Sequence, residues 1–177
     1  VLCGSAKNCQ IVNCQVSGEI QSVQYHEEGL SGGICASAES SVIENCQVSN
    51  LQIYGGMLSA SITARTSNTS IKNCEADEIV LHSPDVGGLI GTNRENTVIK
   101  NSTVSSLKVS ASDLFSGIVV TVKDTMTIKN CAVVDSVVYG SSEIVNYFKA
   151  NSFIAVLDTL GKNVTIKDTF STNVTIN

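Results

Sequence analysis

The chain has 177 residues, a formal charge of −5, and a composition that is 42% hydrophobic and 15% charged; this is enough apolar material to bury a core, which excludes a disordered chain. The acidic excess sits in residues 1–95, with 10 acidic and 4 basic side chains, against 6 and 7 in residues 96–177. No basic face points to nucleic acid, and no apolar run approaches the ~20 residues a membrane-spanning helix needs, so neither nucleic acid nor a direct membrane span is expected.

In chain order, Cys3 stands 11 residues before Cys14 as Cys35 stands 11 before Cys46, so the sequence opens inside a pattern already under way. A piece of a longer protein is expected. The pattern is Ile11-Val12-Asn13-Cys14, then Ile43-Glu44-Asn45-Cys46, Ile71-Lys72-Asn73-Cys74, Ile99-Lys100-Asn101-Ser102, Ile128-Lys129-Asn130-Cys131, and a fading Ile166-Lys167-Asp168-Thr169. Successive copies are 32, 28, 28, 29 and 38 residues apart. Repeats of this period specify a solenoid. Each copy contains three short apolar runs between turn residues, as in Gly88-Leu89-Ile90-Gly91, Thr97-Val98-Ile99-Lys100 and Thr103-Val104 through Val109. β-Branched residues dominate, the only proline is Pro84, and no helical period is sustained. Three strands per copy make one coil, so the expected fold is all-β, a parallel β-helix of about six coils in a single domain over residues 1–177.

Within the anchor, Ile is read as pointing in, Lys as pointing out, and Asn as making the bend, because Asn tolerates the left-handed backbone region. Stacked coils would then align Asn13, Asn45, Asn73, Asn101 and Asn130 in a ladder of side-chain amides closed by Asp168. Cys14, Cys46, Cys74 and Cys131 are expected inside, as small apolar residues in a narrow core.

The Ile-x-Asn-Cys-x-Val coils resemble those of right-handed parallel β-helix proteins of the pectate-lyase-like group. Gly87-Gly88-Leu89-Ile90-Gly91, with Gly32-Gly33-Ile34-Cys35, resembles the GLUG repeat. That resemblance implies a large secreted or cell-surface protein of adhesin-like type, and hence an extracellular location. The pectate-lyase-like group also includes polysaccharide lyases and hydrolases, whose chemistry needs carboxylates clustered on adjacent coils. The nearest approach here is Asp77 and Glu78 with Asp135 two coils on, roughly 10 Å apart at about 4.8 Å per coil. Ser105 and Ser106 lie between them, and neither His nor Arg falls in those rows. No catalytic residue is assigned, and a non-enzymatic role is expected.

Four outward lysines, Lys72, Lys100, Lys129 and Lys167, would stack like charges one strand apart, a candidate contact for an acidic glycan or a surface protein. Glu44 ends that row. The leading candidate contact is the aromatic group Tyr139, Tyr147, Phe148 and Phe153, which surrounds an insertion near residues 140–149 and fits sugar stacking or partner docking, with the lysine row as a secondary electrostatic contributor. The histidines His26 and His82 fall in separate loops without a second ligand cluster, so no metal and no cofactor is expected. Cys3 and Cys35 occupy equivalent positions on adjacent coils, but in-register parallel neighbours rarely offer disulfide geometry, and Cys9 aligns with Ser41 and has no cysteine mate. Seven cysteines, an odd number, do not fix the compartment. Of the Asn-x-Ser/Thr sequences at Asn68, Asn101, Asn163 and Asn173, Asn68 is the expected acceptor if the chain is glycosylated. Ice binding needs regular ranks of Thr, and Thr97, Thr127 and Thr165 are not expected to share one register. The leading expectation is a structural or adhesive segment acting as a rigid stalk or binding surface, its ends meeting more chain or neighbouring subunits. The alternatives are a carbohydrate-active enzyme fragment and a scaffold in a larger assembly.

Overall fold

The computed structural model describes residues 1–22, 29–140, 154–157 and 163–176. They form parallel sheets stacked as a β-solenoid, with no helix among them. The first face carries Cys3–Lys7, Cys35–Glu39, Thr63–Ser67, Ile90–Glu95, Val119–Val122 and Ile154–Leu157. The second carries Gln10–Val12, Val42–Glu44, Ser70–Lys72, Thr97–Lys100, Met126–Lys129 and Val164–Lys167. Six anchors stacked in this way give about five turns. The third face is an 11-stranded sheet, whose longest strand, Glu75–Gly87, runs from the anchor bend to the glycine corner and pairs with several shorter strands on each side.

The anchor isoleucines fall in one register column, Ile11, Ile43, Ile71, Ile99, Ile128 and Ile166. The middle four are fully buried, Ile11 is nearly so, and Ile166 is 38% exposed in the last coil. Each buried copy contributes about 1.5–3 kcal/mol of transfer free energy, so the repeat builds its own core. Parallel inner columns such as Ile53, Leu81, Val109 and Val138 fill the third face.

Three kinds of bend recur along the solenoid, and in most coils they are made in one way. At these, a non-glycine residue adopts a left-handed φ between 48° and 57°. Asn8, Ser40 and Asn68 turn the chain from the first face to the second; Asn13, Asn45, Asn73, Asn101, Asn130 and Asp168 turn it into the third. Asn50, Glu78, Ser106, Asp135 and Asn173 bend the third face part-way along. The expected amide ladder runs through four residues: Asn73 Nδ2 donates to Asn45 Oδ1 (3.1 Å), Asn101 to Asn73 (3.0 Å) and Asn130 to Asn101 (3.1 Å). Asn13 and Asp168 share the bend conformation without joining that chain. A second amide bond, Asn96 to Asn68 (3.3 Å), begins the same device at the first bend.

The residue after the bend has a role that small apolar size does not explain. Cys46, Cys74 and Cys131 donate Sγ–H to the carbonyl two residues back, at 3.3, 3.2 and 3.3 Å. Ser102 and Thr169 do the same with hydroxyls at 2.9 Å. At the first bend Ser41, Thr69 and Thr97 repeat it at 2.7, 2.9 and 3.0 Å. Cys, Ser and Thr therefore interchange because each is a small donor that closes the bend.

The corner from the third face back to the first has no left-handed residue and depends on close approach. A Cβ on Gly88 would lie 1.8 Å from the Gly117 carbonyl oxygen, and one on Gly33 2.1 Å from that of Ser61. The following residues Ile34, Ile62, Leu89 and Ile118 are all fully buried. The Gly-Leu-Ile-Gly stretch is thus a tight corner followed by a core residue, with Gly91 making room for the Leu58 side chain.

Candidate functional site

The outward lysines stack as the spacing predicts. Lys72 pairs in register with Lys100, Lys100 with Lys129, and Lys129 with Lys167, while Glu44 lies beside Lys72. Lys100, Lys129 and Lys167 are exposed, and among the described residues none of the four forms an ion pair. The contrast is Lys7, whose ammonium meets Glu39 at 2.8 Å on the first face. Beside the lysines runs a polar and β-branched column, Ser70, Val98, Thr127 and Thr165. Thr127 and Thr165 share a register, whereas Thr97 pairs with Met126, so the three threonines form no single rank.

Two of the three carboxylates considered for catalysis are held by a neighbouring coil. Asp77 accepts from the Ser105 hydroxyl at 2.7 Å, and Asp135 accepts from the Asn173 amide at 2.8 Å. Glu78 is a bend residue, and it lines a cleft of about 360 Å³ with Asn50, Gln52, Val80, Ser106 and Lys108. A different carboxylate is displaced well above its ordinary value. Burial, reinforced by Asp113, pushes Asp85 up to about 6 against the opposing Leu114 backbone N–H. Its Oδ1 is buried and has no hydrogen-bond partner. Asp85 and Asp113 gave no periodic signal, because the third-face register shifts between Ser83 and Asp85.

All seven cysteines are free thiols. Cys3 and Cys35 pair in register, as expected, and Cys35 bonds to the Thr63 hydroxyl at 3.6 Å. Burial pushes both Cys35 and Cys74 up to about 11, which keeps them protonated and poor as nucleophiles or metal ligands. Cys9 sits 3.7 Å from the Ser41 hydroxyl, the partner its alignment indicated. No group of three or more metal-ligating side chains occurs among the described residues, and no helix among them is long and apolar enough to cross a membrane. Asn68 is exposed, but its Nδ2 donates to Glu95 at 2.6 Å and Thr69 is buried beside it.

Of the aromatic group, Tyr139 is placed and is 54% exposed; Tyr147, Phe148 and Phe153, with the insertion near residues 140–149 apart from Gly140, lie outside the described residues, as does His26. His82 is described, and sequence reasoning missed its setting: its ring stacks on Tyr54, with centroids 4.8 Å apart and planes 8° apart. The two residues are 28 positions apart, so the repeat period itself was the signal that puts them side by side.

The fold and these surfaces define a parallel β-solenoid with regular outward columns. No family model, no curated protein and no solved structure matches the chain. The GLUG resemblance therefore rests on the glycine-corner residues themselves.

Proposed function

We propose that the chain is a non-enzymatic structural or adhesive segment of a secreted or cell-surface protein, a rigid solenoid that works by contact. The observation that carries this reading is the lysine column. Like charges stacked one strand apart repel, and among the described residues none of these lysines forms an ion pair, although Glu44 stands in register beside Lys72. A polyanion with acidic groups along the solenoid axis would relieve that repulsion, so an acidic glycan or an acidic face on another surface protein is the fitting partner. The GLUG-like corners agree with an adhesin-like parent, and the bonded positions of Asp77 and Asp135 favour contact over hydrolysis or elimination.

The test is incubation with pectin, alginate and related acidic polymers, followed by co-sedimentation and product analysis. Retention of the protein without new reducing ends or unsaturated products is the expected result. Turnover abolished by Asp77→Asn or Asp135→Asn would replace this reading with an enzymatic one.

A further inference from the structure

On the third face one outward column reads Gln21, Tyr54, His82, Ser110 and Tyr139 in register. Tyr54 and His82 already form a ring stack, and the Tyr54 hydroxyl donates to Gln52 Oε1 at 2.8 Å, which fixes the edge of the stack. At Ser110 the rings stop, and they resume one turn later at the exposed Tyr139. His82 and Tyr139 are thus two strand spacings apart, about 9.6 Å. A ring lying over Ser110 would be about 4.8 Å from each, inside the range at which rings stack. A cleft of about 370 Å³ borders this gap on the Tyr54 side, lined by Tyr54, His82, Pro84, Ser110 and Ser112 among others.

We propose that this gap binds one pyranose ring of a neutral glycan. A pyranose offers an apolar C–H face to each neighbouring ring and a rim of hydroxyls to polar groups. Those polar groups are adjacent. Two residues back along the same strands, roughly 6.6 Å away, stand Gln52 and Lys108, and the cleft they share with Asn50 and Glu78 farther along presents amides, a carboxylate and an ammonium. A second sugar unit fits there. An aromatic side chain of a peptide would use the ring slot but leave that polar bank unmatched, so the surroundings favour sugar. The site deepens the contact reading and depends on it only in needing this face open to solvent. It lies on the third face, apart from the second-face lysines, so each can fail alone.

The experiment titrates neutral hexasaccharides of β-1,4-linked glucose, xylose and mannose, with a phenylalanine-containing hexapeptide for comparison, into the full chain by calorimetry and NMR. Saturable binding of at least one hexasaccharide is expected, with shifts centred on His82 and Tyr139. Ser110→Tyr completes the ring column and fills the slot, so it should abolish binding without lowering the melting temperature. His82→Ala should weaken binding about tenfold through loss of one stacking partner, while Lys100→Glu leaves it unchanged. Failure of all three sugars to bind, binding of the peptide alone, or undiminished binding by folded Ser110→Tyr would overturn the proposal.

Discussion

Replacing Asn73 separates the two things the amide ladder supplies. Asn73 holds φ at 50°, donates to Asn45 at 3.1 Å and accepts from Asn101 at 3.0 Å. Its side chain is exposed, so its removal strands no buried amide, and water competes for the neighbours it leaves. The two bonds are then at the low end of the net range, about 0.5 kcal/mol each. An alanine at a left-handed φ costs about 1 kcal/mol more. Asn73→Ala should therefore lose about 2 kcal/mol, whereas Asn73→Gly, which accepts that φ freely, should lose about 1 kcal/mol. For a chain of this size the two losses correspond to falls of roughly 4–8 °C and 2–4 °C in melting temperature. Urea melts and calorimetry on both variants read this directly. Equal losses would show that the backbone conformation contributes nothing, and two unchanged melts would refute the ladder as a stabilising device.

Asp85 provides a pH signature. Its folded value, about 6, is raised above the ordinary 3.8, so the stability its neutral form supplies is present at low pH and is lost as pH rises through that window. After discounting for solvent screening the loss is about 1–2 kcal/mol; Asp85→Asn should melt higher at pH 7 and flatten stability between pH 4 and 6, and an unchanged profile would contradict the assignment. Gly88→Ala should prevent or severely weaken folding, since its Cβ would collide with the Gly117 carbonyl, and a native melt would show that the corner relaxes. Cys74→Ser should stay within about 1 kcal/mol of the parent in denaturant melts, because the hydroxyl can donate to the Lys72 carbonyl in place of the thiol; Cys74→Val, which cannot donate, should cost more.

The solenoid was legible because the sequence writes the same bend repeatedly, and a period near 28 residues places each residue beside its own copy. The Asn ladder and the lysine column followed from that spacing alone. The third-face bend was not legible: Glu78 and Ser106 adopt left-handed conformations that their residue types do not announce, and the surrounding coil imposes them. The donor role of the anchor cysteines was hidden because thiol, Ser102 and Thr169 look like unrelated substitutions until their shared carbonyl bond is seen. The Tyr54–His82 stack escaped because the two rings sit in stretches with no common motif, and only their 28-residue separation, equal to the repeat period, marks them as neighbours. Tyr147, Phe148 and Phe153 lie outside the described residues, so of that group only Tyr139 is placed, in register with Ser110.

The central claim, that stacked outward columns make this solenoid a contact surface, is tested most directly by salt-titrated binding of polygalacturonate to the parent chain and to the double variant Lys100→Glu, Lys129→Glu. Both substitutions lie at exposed positions of the second face, so the variant should fold and melt like the parent. The account predicts saturable binding by the parent that weakens steeply with salt, and loss of that binding in the variant. Binding of equal strength and equal salt dependence by both proteins, or no binding by the parent at low salt, would contradict it.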